Sequence, residues 1–117
     1  MSKAPGAAKH HRHAARFWSK LPDAAELEKA SAMFRALGDP ARLRLLARLA
    51  GGEGCVTELA DSENEKLTTV SARLQTLLEA RLVKRRREAK HIYYALLDTH
   101  VLQLVQSAME HAAENND

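Results

Sequence analysis

The sequence predicts a mainly α-helical domain with one β-hairpin set between helices. Three observations point to it. Of 117 residues, 21 are Ala and 17 are Leu, whereas only five are aromatic, and Ala and Leu lose little side-chain freedom in a helix. Apolar residues recur at three- and four-residue intervals in several segments, the period of a helix with one buried face. After Leu82-Val83 that period breaks, and two extended runs follow.

The elements are justified in order. Residues 1–20 read as an arm, broken early by Pro5-Gly6. A folded domain is expected over 21–117. Asp23 is an N-cap with Glu26 at the capping-box position, opening a helix from Ala24 to Leu37 whose stripe is Leu27, Ala30, Phe34 and Leu37. Gly38-Asp39-Pro40 ends it and starts the next, since Pro suits a first helical turn. Ala41 to Ala50 then turns Leu43, Leu46, Ala47 and Ala50 inward. Gly51-Gly52-Glu53-Gly54 stops that helix. Cys55 to Asp61 is a short helix, and Ser62 to Lys66 a polar turn. Thr68 or Thr69 caps a long helix running to about Ala80, with Val70, Leu74, Leu77 and Leu78 on its stripe. Val83 to Arg87 and His91 to Leu96 form a hairpin about a three-residue turn, Glu88-Ala89-Lys90; Ile92, Tyr93 and Tyr94 favour a strand. Asp98 opens a final helix to about Ala113, with Val101, Leu104, Val105, Ala108 and Ala112 inward. This order is that of a winged helix-turn-helix. A core this small and Leu-rich is marginal for a monomer, so a homodimer is expected.

Charge is unevenly placed. The first twenty residues hold five basic groups and no acid, Lys84-Arg85-Arg86-Arg87 forms a second basic run, and the sequence pI is near 9.2. Localised basic patches suit a polyanion. The single Cys55 excludes an internal disulfide framework. No apolar run reaches the roughly 18 residues of a membrane span and no secretory signal is visible, so a cytoplasmic protein without a membrane partner is expected.

Chemistry concentrates in four places. The long helix after the polar turn would enter the major groove of double-stranded DNA, presenting Lys66, Thr68, Thr69, Ser71, Arg73 and Gln75 near its start. The hairpin residues Arg85, Arg86, Arg87 and Lys90 would neutralise phosphates. Asp98, His100, His111 and Glu114 bracket the last helix, and all four can ligate a borderline metal such as zinc. His111 and Glu114 share a face at i, i+3, and Asp98 can meet His100 only from a non-helical N-cap. The two His are eleven positions apart, about 16 Å along a helix, so one copy cannot close the set, whereas two antiparallel copies can. Four protein ligands leave no open position, which points away from a catalytic metal, and no nucleophile–base constellation suggests an enzyme or a small-molecule substrate. A second group combines Cys55 and Glu58 with His10, His11 and His13 of the arm. The bland alternative is a small buried thiol beside a basic arm.

The runs Phe34-Arg35-Ala36-Leu37-Gly38-Asp39-Pro40-Ala41-Arg42-Leu43-Arg44-Leu45-Leu46, Cys55-Val56-Thr57-Glu58-Leu59-Ala60, Thr69-Val70-Ser71-Ala72-Arg73-Leu74 and His91-Ile92-Tyr93-Tyr94, with the Asp98, His100, His111, Glu114 pattern, resemble the ArsR/SmtB metal-sensing repressors over about residues 26–115. The resemblance implies a homodimer that holds an imperfect inverted repeat when metal-free and releases it on binding metal. It implies Zn2+ at the final-helix ligands, with Co2+, Cd2+ or Pb2+ as other candidates. The alternative it leaves is a repressor answering a thiol signal or a softer metal at Cys55 and the arm. Three departures stand out: Ala72-Arg73 where many relatives carry a histidine, Glu63-Asn64-Glu65 in the turn in place of a glycine and apolar residues, and Ala89 in place of a hairpin glycine.

Overall fold

The structure is a computed structural model and describes residues 20–114; the arm, with His10, His11 and His13, lies outside them. The elements are α1 (Ala24–Leu37), α2 (Pro40–Leu49), β1 (Gly54–Cys55), α3 (Val56–Glu63), α4 (Leu67–Glu79), β2 (Val83–Glu88), β3 (His91–Leu96) and α5 (Thr99–Ala113). The order is that of a winged helix-turn-helix, with α3 and α4 as the helical pair and β2–β3 as the wing. The chain divides into two compact units, one ending at Ala30 and the other beginning at Ser31.

In the first unit the start of α1 is fixed by the expected capping box. The Asp23 N–H donates to Glu26 Oε1 at 2.9 Å, and the Glu26 N–H returns the bond to Asp23 Oδ1 at 2.8 Å. Two of the donors that a helix start leaves unpaired are thereby satisfied.

In the second unit Asp39 caps α2, its Oδ2 accepting from the Arg42 N–H at 3.0 Å, and Pro40 occupies the first turn. The Arg42 guanidinium reaches back to the carbonyls of Ala36 and Arg35 at 2.8 and 3.2 Å, closing the end of α1. The core is built from Leu45, Leu46, Val70, Leu74, Leu77, Leu82 and Val83, with Val101 and Val105 from α5. The sheet order is β1-β3-β2, all antiparallel, pairing Cys55 with Tyr93 and Arg86 with Tyr93 from opposite sides of β3.

Several boundaries and faces differ from the sequence reading. On α1, Phe34 and Leu27 are exposed, 63% and 53%, and the second unit instead buries Ala36 with Met33 and Leu37 against its core. On α2, Leu45, Leu46 and Leu49 are buried while Ala47 is exposed; larger side chains win the inward face because they remove more apolar area from water. Ala108 and Ala112 on α5 are exposed as well. Cys55 sits in β1 and acts as N-cap of α3 rather than its first residue. Helix α4 begins one turn-position earlier than the threonines suggest, with Lys66 at the N-cap and no side-chain cap bond, so neither Thr68 nor Thr69 is the cap. The wing turn is two residues long, because Glu88 pairs with His91.

Both unusual turns have a local explanation. Asn64 ends α3 at φ 54°, ψ 46°, a left-handed conformation that Asn tolerates better than most side chains. Glu63 ties the turn to α2 through an ion pair: Arg44 Nε donates to its Oε1 at 2.8 Å and Arg48 Nε to its Oε2. Its side chain is only 5% exposed. Ala89 also takes a positive φ of 54°, where a glycine would be at ease.

Candidate functional site

Helix α4 presents a polar face. Lys66, Thr68 and Gln75 are exposed, and Thr69, Ser71 and Arg73 half-buried. Two of these side chains already have partners: Arg73 Nη1 stands 3.4 Å from Glu65 Oε2, and the Gln75 amide donates to Glu79 at 3.2 Å. On the wing, Arg85, Arg87 and Lys90 are exposed. Arg86 is held by Glu53 and Glu88, which raises its already high pKa.

The four final-helix ligands fall into two pairs at opposite ends of α5. Asp98 is the N-cap, in extended conformation at φ −163°, ψ −176°. From there its Oδ1 accepts from the Val101 N–H at 3.0 Å while its Oδ2 lies 3.9 Å from His100 Nδ1. The placement outside the helix is what lets positions i and i+2 meet. At the other end His111 Nδ1 is 3.4 Å from Glu114 Oε1. Both imidazoles are exposed, 89% and 84%. Bonds of about 2.0–2.1 Å at a tetrahedral angle give an N···O edge of about 3.4 Å, which the second pair matches and the first approaches. Two imidazoles with two carboxylates form a donor set suited to borderline divalent ions. Among the described residues, no three His, Cys, Asp or Glu side chains come together as one metal-holding group; each end of α5 offers a pair.

Cys55 is buried, and its thiol contacts Thr57 Oγ1 at 3.2 Å and His91 Nδ1 at 3.8 Å. The Thr57 hydroxyl above all, helped by backbone N–H groups of Thr57 and Glu58 and by His91, holds the thiol below its ordinary pKa against the opposing effect of burial. Glu58 is turned to the backbone, accepting from the Cys55 N–H at 3.3 Å. The approach of His91 to Cys55 had no signal in the sequence, because it depends on how β1 registers against β3.

A helix-turn-helix domain family matches residues 37–86. The chain is 40% identical to a transcriptional repressor SmtB homolog from Synechocystis over 98 residues, 81% of this chain and 74% of that protein. The chain belongs to the ArsR/SmtB family. Among its other relatives is a cadmium resistance transcriptional regulatory protein CadC homolog of Staphylococcus aureus, 37% identical over 70% of this chain and 69% of that one. The fold agrees. A homodimeric winged helix-turn-helix DNA-binding domain from Mycobacterium bovis, a possible ArsR-family transcriptional regulator, superposes with a TM-score of 0.77 at 34% identity, covering 84% of this chain and 93% of that one. ArsR/SmtB proteins of this fold are DNA-binding transcriptional regulators, not enzymes. No helix among the described residues is long and apolar enough to cross a membrane.

Proposed function

We propose that this ArsR/SmtB chain is a cytoplasmic, zinc-responsive repressor that holds operator DNA as a metal-free homodimer and releases it when zinc is bound. The observation that carries the reading is the pairing of Asp98 with His100 and of His111 with Glu114 at opposite ends of α5. One chain cannot join the two pairs, and an antiparallel copy can. Exposed Phe34 and Met109 of the second unit supply apolar surface for such a partner, and the Mycobacterium bovis neighbour is itself homodimeric.

In this reading Asp98 and His100 of one protomer and His111 and Glu114 of the other supply four ligands, and zinc contributes only a cross-link between protomers. Holding both α5 helices together favours one separation of the two α4 helices, while two successive major grooves favour another. The two equilibria are linked, so operator DNA weakens zinc binding by the factor that zinc weakens operator binding.

The test is fluorescence anisotropy on DNA from the protein's own promoter at fixed salt, first with chelator and then with zinc. Salt is fixed because phosphate contacts make affinity steeply dependent on it. The expected result is tight binding weakened at least about tenfold by zinc, about 1.4 kcal/mol of coupling. Tight binding indifferent to zinc overturns the zinc assignment.

The lowered thiol of Cys55 and its approach to His91 support a second reading, a repressor that answers a thiol signal or a softer metal such as Cd2+ or Pb2+. A Cys55→Ser variant that no longer responds to any inducer favours it, whereas one that still responds to Cd2+, Pb2+ and a thiol oxidant as the wild type does excludes it.

A further inference from the structure

The wing carries four consecutive basic residues, and the register divides them between two faces. Cross-strand partners point to the same side of a sheet. Lys84 and Arg86 therefore share a face with Ala95 and Tyr93, whereas Arg85 lies with Tyr94 and Arg87 with Ile92 on the other.

Three of the five N–H donors of the Arg86 guanidinium and one of its faces are engaged, although the side chain stays 49% exposed. Its Nε and Nη2 donate to the two carboxylate oxygens of Glu53 at 2.8 and 2.7 Å, and Nη1 donates to Glu88 Oε1 at 2.6 Å. Its Cζ stands 4.5 Å from the centroid of the Tyr93 ring. Glu53 reaches it from the loop between α2 and β1, where Gly52 takes a φ of 136° open to little but glycine. Arg85 and Arg87 have no acidic partner among the described residues. A phosphate approaching Arg86 meets two carboxylates already paired with it, and taking over the fork itself would mean replacing three charge-assisted hydrogen bonds, which are roughly twice as strong as neutral ones. A hairpin standing out from its domain is marginal by itself, so a pin between its outer strand and the α2–β1 loop fixes its pitch.

We propose that the wing meets duplex phosphates through Arg85 and Arg87 on one face only, and that Arg86 is a positioning residue locked to Glu53 which itself touches no phosphate. The proposal rests on the DNA-binding reading above and assigns different roles to neighbouring arginines that composition treats as equivalent.

The experiment uses the full chain and a fluorescein-labelled mixed-sequence duplex of about 30 base pairs, with affinity measured across a salt series. Arg85→Gln and Arg87→Gln should each flatten the slope of log affinity against log salt by about 0.9 per wing. Arg86→Gln should weaken binding severalfold at every salt concentration and leave the slope unchanged. A slope lowered as much by Arg86→Gln as by its neighbours makes Arg86 a phosphate ligand and overturns the proposal. Glu53→Gln gives an independent sign. Removing an acid near DNA tightens binding on charge alone, whereas unpinning the wing weakens it at an unchanged slope. Tighter binding with a steeper slope means that Glu53 merely masks Arg86, and the proposal fails. A wild-type chain that shows no salt-dependent duplex binding sinks the DNA-binding reading itself, and the wing proposal with it.

Discussion

Asp98 Oδ2 lies 3.9 Å from His100 Nδ1 while the other oxygen of the same carboxylate accepts from the Val101 N–H at 3.0 Å. One side chain thus serves both the start of α5 and a ligand pair. The two roles separate by substitution, because Asn caps a helix about as well as Asp but brings no carboxylate. Asp98→Asn is expected to keep the stability of the wild type within about 0.5 kcal/mol while losing at least roughly tenfold in zinc affinity. Asp98→Ala should lose zinc affinity and about 1 kcal/mol of stability together. Thermal melts and competition against a chromophoric chelator read the two effects. Equal zinc binding by wild type and Asp98→Asn removes Asp98 from the ligand set.

The pairing of Asp98 with His100 was legible in the sequence because an N-cap is a local feature with a local signature, and so were the Asp23–Glu26 and Asp39–Pro40 starts. What periodicity does not encode is the partner of a face. Leu27, Phe34, Ala108 and Ala112 recur at helical intervals yet are exposed in the single chain, since a stripe can be built for a second copy as well as for its own core. Long-range side-chain pairs were hidden for a related reason. Arg86 meets Glu53, and His91 meets Cys55, only once the antiparallel register of three strands is known. Lys66 as N-cap of α4 was masked by the threonines beside it, which are better caps by residue type.

Glu63 joins α2 to the end of α3 through Arg44 and Arg48. Arg44 first and Arg48 second hold its carboxyl below the usual range, against the effect of burial. A folded pKa below the unfolded value of about 4.3 means that the stabilisation is complete above that value and is lost as pH falls through the folded one. Glu63→Gln is therefore expected to cost about 1 kcal/mol at neutral pH, with the gap to wild type closing below about pH 4. Urea denaturation at neutral and acid pH measures both. A gap that persists undiminished in acid would show that the carboxylate charge contributes nothing there.

Ala89 holds a φ of 54° at the tip of the wing. A non-glycine residue with positive φ carries roughly 1–3 kcal/mol of backbone strain, of which glycine's extra unfolded-state freedom returns part. Ala89→Gly should stabilise the chain by about 0.5–1 kcal/mol, a rise of roughly 2–6 °C in Tm. Differential scanning calorimetry decides. A lower Tm would mean that the turn relaxes its φ in solution.

The strongest expectation concerns His100 and His111, which stand near opposite ends of one helix with about 16 Å between them. If each metal site takes its ligands from both protomers, His100→Ala and His111→Ala each destroy both sites of their own homodimer while leaving duplex binding intact. A mixed dimer behaves differently. The His111→Ala chain still carries His100 and the His100→Ala chain still carries His111, so one of its two sites is whole and the other has lost both imidazoles. Random exchange makes about half of the dimers mixed, and each regains one site of two, so unfolding and refolding the two variants together should restore about a quarter of the wild-type zinc capacity. Each variant refolded alone should restore none. Equilibrium dialysis against zinc gives the stoichiometry, and differently tagged chains confirm that exchange occurred. Capacity that stays at zero in demonstrably mixed dimers would mean that no single site draws one imidazole from each chain, and the antiparallel arrangement of the two α5 helices would have to be abandoned.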